Sequence, residues 1–207
     1  MKDYENIVMT RMEEIGSSNG RPGSVAKCLQ IPNELIWLAP HIDKLQPHVI
    51  VEIGIYKGGW QYVMCPFFAP GAYIIGIDAM LRHKQDEGEG DLDMMCERLR
   101  AAGFMIDVIK GRSDGIDVRA AFRTRAHETI VDLLHIDGAH DYKSVWEDWE
   151  YYSPFVRHGG LVVLHDIGTW TSQMNVKRLW EEIKGGTYGE KQTYEFYEKN
   201  GIGVVMI

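Results

Sequence analysis

The chain has 207 residues and carries 22 Lys and Arg against 30 Asp and Glu, a formal net charge of -8; a chain this long suits one domain rather than two. The acidic balance, with no block of basic residues, speaks against a phosphate-tracking surface, so no nucleic-acid partner is expected. Three widely spaced cysteines, Cys28, Cys65 and Cys96, form no CxxC pair and read as buried thiols in a reducing compartment.

The opening MKDYENIVMTRMEEIG is too charged for a secretory signal, and no run of 18 apolar residues occurs, so a soluble cytoplasmic protein without membrane contact is expected. Within residues 1–16, Ile7, Val8, Met12 and Ile15 share one helical face. SSNGRPG breaks that helix, and a second amphipathic stretch runs from Ile31 to Leu45. Residues 1–46 thus read as a helical cap, with 47–207 as the core of the same domain.

From HVIVEIG (48–54) onward, apolar runs lacking regular polar alternation recur at AYIIGID (72–78), FMIDVIKG (104–111), IVDLLHID (130–137) and GLVVLHD (160–166). Such runs are strands buried on both faces, and the segments between them are long enough for helices. The last of these, DYKSVWEDWEYYSPFVRHGG, carries Val145, Trp149 and Tyr152 at helical spacing. After KRLWEEIKGG, TYEFYE and GIGVVMI flank Lys199-Asn200-Gly201, and Asn-Gly predicts a hairpin. The prediction is a Rossmann-like α/β fold: seven strands, mostly parallel, helices on both faces, and an antiparallel C-terminal hairpin. KQDEGEGD (84–91) reads as a mobile acidic loop.

The loop after the first strand faces the crevice at the carboxyl ends of a doubly wound sheet. Here it is VEIGIYKGGW, which has neither the G-x-G-x-x-G spacing of a dinucleotide site nor the G-K-[ST] of a P-loop. Asp78, closing the second strand 20 residues beyond Gly58, stands where an acid accepts hydrogen bonds from both ribose hydroxyls. A nucleoside without a pyrophosphate satisfies both observations.

Asp137 and the pair His165-Asp166 close the fourth and fifth strands. On parallel neighbours about 4.8 Å apart, two carboxylates repel unless a cation lies between them, and a hard divalent ion with oxygen ligands answers that need. Such an ion lowers the pKa of a substrate hydroxyl. His140, three residues past Asp137, is placed to take the proton, because imidazole titrates near neutral pH.

The E-x-G-x-x-x-G pattern of Glu52, Gly54 and Gly58 resembles the first motif of class I S-adenosylmethionine-dependent methyltransferases. The resemblance implies that the glycines admit the methionine and ribose and that Asp78 takes the ribose. It further implies that Gly111, Arg112 and Ser113 of GRSDG lie near the adenine. D-G-x-H-x-Y followed by G-G-x-x-x-x-H-D, within residues 137–167, resembles the metal-dependent O-methyltransferase branch related to cephalosporin hydroxylase-like and macrolide-sugar enzymes. Across about residues 48–184 it implies metal ligands at Asp137 and Asp166, with His140 as base. His165 stands where that branch has a second acid and is taken as a third ligand. With a neutral imidazole there, Mg2+ is expected but Mn2+ or Fe2+ competes.

The implied activity is methyl transfer to a hydroxyl of a small molecule, a sugar or other natural-product-like acceptor, by a protein that is a candidate homo-oligomer. A metal-dependent hydrolase or oxygenase built on the Asp/His cluster, and a non-catalytic S-adenosylmethionine-binding module, stand as alternatives. His135 reads as a hydrogen-bonded core residue, Asp148 as a solvated or capping acid, and Trp60 and Trp170 as packing residues near the crevice.

Overall fold

The computed structural model describes residues 2–16, 28–80, 91–126, 130–168 and 175–207. Two helices come first, α1 (Tyr4–Glu14) and α2 (Pro32–Leu45). The Asp3 side chain caps α1 by accepting from the Asn6 N–H at 3.1 Å. Pro32 opens α2, where its missing N–H costs nothing, and Gln46 ends it in the left-handed conformation.

The core then alternates β1 (Val49–Ile53), α3 (Gly59–Met64), β2 (Tyr73–Asp78), α4 (Asp91–Ala101), β3 (Met105–Lys110), α5 (Ile116–Ala126), β4 (Val131–Ile136), α6 (Tyr142–Tyr152), β5 (Val156–His165), α7 (Val176–Lys184), β6 (Gln192–Phe196) and β7 (Ile202–Met206). The seven strands form one sheet in the order β3-β2-β1-β4-β5-β7-β6, parallel except that β7 runs antiparallel to both β5 and β6. The predicted architecture is the one observed.

Alternate strand residues divide between two apolar layers. Ile50, Ile74, Leu133, Val163 and Val204 face a layer shared with α1 to α4, while Val51, Ile75, Leu134, Val162 and Val205 face α5 to α7. Every residue of β4 is buried, as a run without regular polar alternation predicts.

Two boundaries differ from the sequence reading. The strand β5 begins at Val156, ahead of the glycine pair, because Gly159 and Gly160 exchange backbone hydrogen bonds with Ile207. The final hairpin is not closed by a two-residue Asn-Gly turn: Phe196 pairs with Ile202, and the five residues between them include positive φ angles at Lys199 and Gly201. The loop predicted at 84–91 lies outside the described residues except for Asp91, which opens α4. Trp170 also lies outside them. Among the described residues no helix is long and apolar enough to cross a membrane.

Candidate active site

A cavity of 620 Å³ opens at the carboxyl ends of β1, β2, β4 and β5 and includes every candidate site residue singled out from the sequence except Gly58. Gly58 sits just behind, as the left-handed N-cap of α3 at φ 75°. Its volume lies in the range of ordinary cofactor and small-molecule sites.

The end of β1 requires glycine for two reasons. Gly54 has φ 90°, and a Cβ there would lie 2.0 Å from the carbonyl oxygen of Asp137. The β1 and β4 ends can approach each other only because that side chain is missing. Across the rim, both carboxylate oxygens of Asp78 accept backbone hydrogen bonds, from Tyr56 N–H at 2.7 Å and Met80 N–H at 2.6 Å. Asp78 therefore staples the first glycine loop to the end of β2. Tyr56 and Met80 both adopt positive φ, a conformation unusual for non-glycine residues. Gly111, Arg112, Ser113 and Asp114 close this side, with Arg112 holding Asp114 through two exposed contacts at 3.0 and 2.9 Å.

Glu52 points into a buried pair rather than toward solvent. Strand register places it opposite His135, and its Oε1 lies 3.0 Å from His135 Nδ1. Burial, joined by the charges of Asp137 and Asp78, pushes the Glu52 carboxyl well above the usual range. Burial likewise pushes His135 down to about 4. Each partner is thus shifted toward its uncharged form. Trp60 stacks on His135 with centroids 4.2 Å apart. The other Glu52 oxygen, His135 Nε2 and Trp60 Nε1 are buried and have no hydrogen-bond partner among the described residues.

On the β4 and β5 side, Ile136 pairs with Leu164, so Asp137 continues opposite His165 and Asp166 lies one residue beyond. Asp166 turns at φ 62°, a strained angle that holds its carboxylate at the cavity rather than along the strand. His140 Nε2 lies 3.2 Å from Asp166 Oδ2 and 3.6 Å from Asp137 Oδ1. The ligand atoms of Asp137, His140 and Asp166 all fall within 4.8 Å of one another, close enough to share one ion.

The structure does not group His165 with them as a third ligand. Its Nδ1 faces Asp137 at 3.2 Å and Asp166 at 3.4 Å, and its Nε2 faces Glu34 of α2 at 3.0 Å. Both ring nitrogens thus face carboxylates. Burial opposes a charge on His165, but the carboxylate of Asp137 and hydrogen bonds to Asp137, Asp166 and Glu34 raise it well above the usual histidine range. In turn, the His165 charge and hydrogen bonds from His140 and His165 overcome burial and hold Asp137 below the usual carboxylate range. The Asp137 hydrogen bond and the Asp166 charge raise His140 against burial.

Two further residues come from the helical cap, where sequence reasoning found no code. Gln30 donates its side-chain amide to Asp137. Glu34 is completely buried, accepting from His165 and from the Gly201 N–H at 2.7 Å. A signal for Glu34 was present: it lies in register with Leu38 and Ile42, four and eight residues on, along the buried stripe of α2. Asp148, read as a solvated acid, proves to be 1% exposed on α6. Burial pushes it up to about 7 against pulls from Ser113 and Arg119. His135 is the core residue expected.

Residues 51–167 match the family described as "Methyltransferase domain". The chain belongs to that family. It is 24% identical over 176 residues to the uncharacterized protein y4gI of Sinorhizobium fredii, a match covering 82% of this chain and 18% of that one, so the chain spans about a fifth of that relative's length. Among solved structures, the O-methyltransferase TomG from Streptomyces achromogenes, involved in tomaymycin synthesis and determined in complex with SAM, superposes with a TM-score of 0.65 at 14% identity, covering 100% of this chain and 90% of that one. The MycE methyltransferase of the mycinamycin pathway, in complex with Mg, SAH and mycinamycin VI, gives a TM-score of 0.58 at 20% identity over 99% of this chain and 54% of that one.

Proposed function

We propose that the chain is one S-adenosylmethionine-dependent O-methyltransferase domain, assisted by a divalent cation and acting on a hydroxyl of a small molecule such as a sugar or another natural-product-like acceptor. The observation that carries this reading is the meeting, in one cavity, of a glycine-built nucleoside loop closed by Asp78 and a convergent trio of Asp137, His140 and Asp166.

The residues suit both groups. Glu52 lines the cavity with a buried oxygen lacking a partner, a ready acceptor for the ammonium of a methionine moiety. Asp78 retains lone pairs for ribose hydroxyls. The oxygen and nitrogen donors of Asp137, Asp166 and His140 fit Mg2+, Mn2+ or Fe2+. When bound, S-adenosylmethionine supplies a methyl group on a sulfonium, and the cation supplies positive charge that makes a nearby hydroxyl more acidic.

The chain's own groups then orient and deprotonate. Asp137 and Asp166 would hold the cation. His140, one-third exposed at the cavity mouth and raised by the carboxylates beside it, would take the hydroxyl proton on Nε2 with the cation bound. Glu52, Ile53 and Ile77, each almost fully buried, line this end of the cavity.

Calorimetric titration with S-adenosylhomocysteine, with Mg2+ and then with chelator, is the direct test. Wild type should bind at micromolar levels and Asp78→Ala about 10- to 100-fold more weakly; no binding by wild type under either condition would end the reading. Because His140 Nε2 shares the span of the two acids, it competes for the role of third ligand. A His140→Ala variant that loses turnover yet keeps metal affinity identifies the base, whereas loss of both makes His140 a ligand.

A further inference from the structure

A carboxylate carried fully into a protein interior costs several kcal/mol unless each oxygen is paired. Glu34 is 0% exposed on a helix whose other buried residues, Leu35, Leu38, Ala39 and Ile42, are apolar. Each of its oxygens has its own partner: Oε1 accepts from the Gly201 N–H at 2.7 Å, and Oε2 meets His165 Nε2 at 3.0 Å. Those partners come from the β6–β7 turn and from the end of β5, so the contact joins three segments remote in sequence. On its other side the same imidazole meets Asp137 and Asp166 through Nδ1.

We propose that Glu34 is a positioning residue for the metal site: by pinning Nε2 of His165 it turns Nδ1 toward Asp137 and Asp166 and fixes both carboxylates where they converge with His140. The role rests on the metal-assisted reading above. It also explains why His165 serves where an acid was expected. A ring clamped at both nitrogens orients the two acids without itself taking a coordination position. Groups that orient metal ligands in this way are typically worth 10- to 100-fold in metal affinity. The strained φ of Asp166 adds a reason for such a clamp, since an off-minimum backbone persists only where its surroundings enforce it. Docking of α2 thereby becomes a condition of an ordered site.

The test is Mn2+ binding to the full chain, followed by calorimetry or by the spectrum of the ion, in wild type, Glu34→Gln, Glu34→Asp, His165→Asn and the Glu34→Gln/His165→Asn double variant. Glu34→Gln keeps the shape but cannot accept at both oxygens, and should weaken Mn2+ about 10- to 100-fold while S-adenosylhomocysteine binding in chelator stays within about threefold. Glu34→Asp, which keeps the charge, should recover part of the loss. In the double variant the Glu34 substitution should add nothing to His165→Asn, because coupled residues are non-additive. Should Glu34→Gln not fold, Glu34→Asp carries the same readouts with a smaller expected loss.

A lowered melting temperature with unchanged Mn2+ affinity, or full additivity in the double variant, would reduce Glu34 to a structural staple and overturn the proposal. Absence of Mn2+ binding by wild type that still binds S-adenosylhomocysteine would instead remove the metal from the reaction, and this role with it. The two failures are therefore told apart by the wild-type titration.

Discussion

Along β1 and β2 the cavity is shaped by backbone: a left-handed Gly54, the Gly58 cap of α3, and Asp78 accepting two main-chain N–H groups. Across β4 and β5 it is shaped by charge, with Asp137, Asp166 and Glu34 laced around His140 and His165. The backbone side comes from one short stretch and a second strand end, so local sequence encodes it. The charged side draws on Gln30, Glu34, the β4 and β5 ends and Gly201, and each member is tolerable only because the others are present. A rim of the first kind is limited by the space its glycines leave; a rim of the second kind is limited by the pairing of its charges.

Several substitutions would break or sharpen that contrast. The largest effect is expected at Gly54→Ala, where the new Cβ meets the Asp137 carbonyl at 2.0 Å. The strain should cost roughly 3 kcal/mol or more and disturb both rims together, seen as a lowered melting temperature with loss of S-adenosylhomocysteine and metal binding alike.

Asp148→Asn compares two buried acids that differ in their compensation. Asp137 is held low by histidines, whereas Asp148 is pushed up to about 7 by burial. An acid whose folded pKa is raised costs nothing while it is protonated in both states. Its penalty grows as pH rises above the unfolded value near 4 and levels off above 7, reaching on the order of 4 kcal/mol at most. The asparagine variant should therefore gain stability over wild type at pH 8 and little at pH 4, as thermal unfolding at the two pH values would show. A gain independent of pH would mean that Asp148 is not titrating in this window.

Asp78→Ala and Asp137→Asn form a crossed pair. The first should weaken S-adenosylhomocysteine about 10- to 100-fold and spare Mn2+. The second should weaken Mn2+ by a similar factor and spare S-adenosylhomocysteine in chelator. Equal losses of both ligands in either variant would show that the two rims are one coupled unit. The smallest effect is expected at Arg112→Ala: its pair with Asp114 is exposed, and the affinity for S-adenosylhomocysteine should change by less than about threefold.

The same contrast explains what could be read before folding. Strand runs such as VIVEI and VDLLHI, buried on both faces, and the spacing from Gly58 to Asp78 are local patterns, and they led directly to the sheet and the backbone-built rim. Asp137 and Asp166 could be placed side by side because they follow strands that parallel pairing joins, and His140 because it lies three residues past Asp137. The contacts of His165 were not legible because they depend on Glu34, 131 positions away in the chain, and nothing local distinguishes a ligand histidine from a clamped one. Asp148 was misread as solvated because an acid between two tryptophans on an amphipathic helix carries no mark of the face it occupies.

By itself the sequence determined the order and type of the elements, the glycine positions that only a missing side chain can fill, and the identity of the acids at the strand ends. These depend on periodicity and on steric limits that act over a few residues. Only the tertiary structure decided which nitrogen of His165 meets which carboxylate, that Gln30 and Glu34 of the helical cap reach the site, and that Glu52 and Asp148 lie in surroundings that disfavour their charge. Those outcomes depend on desolvation and on contacts between remote segments, and neither exists until the chain has packed.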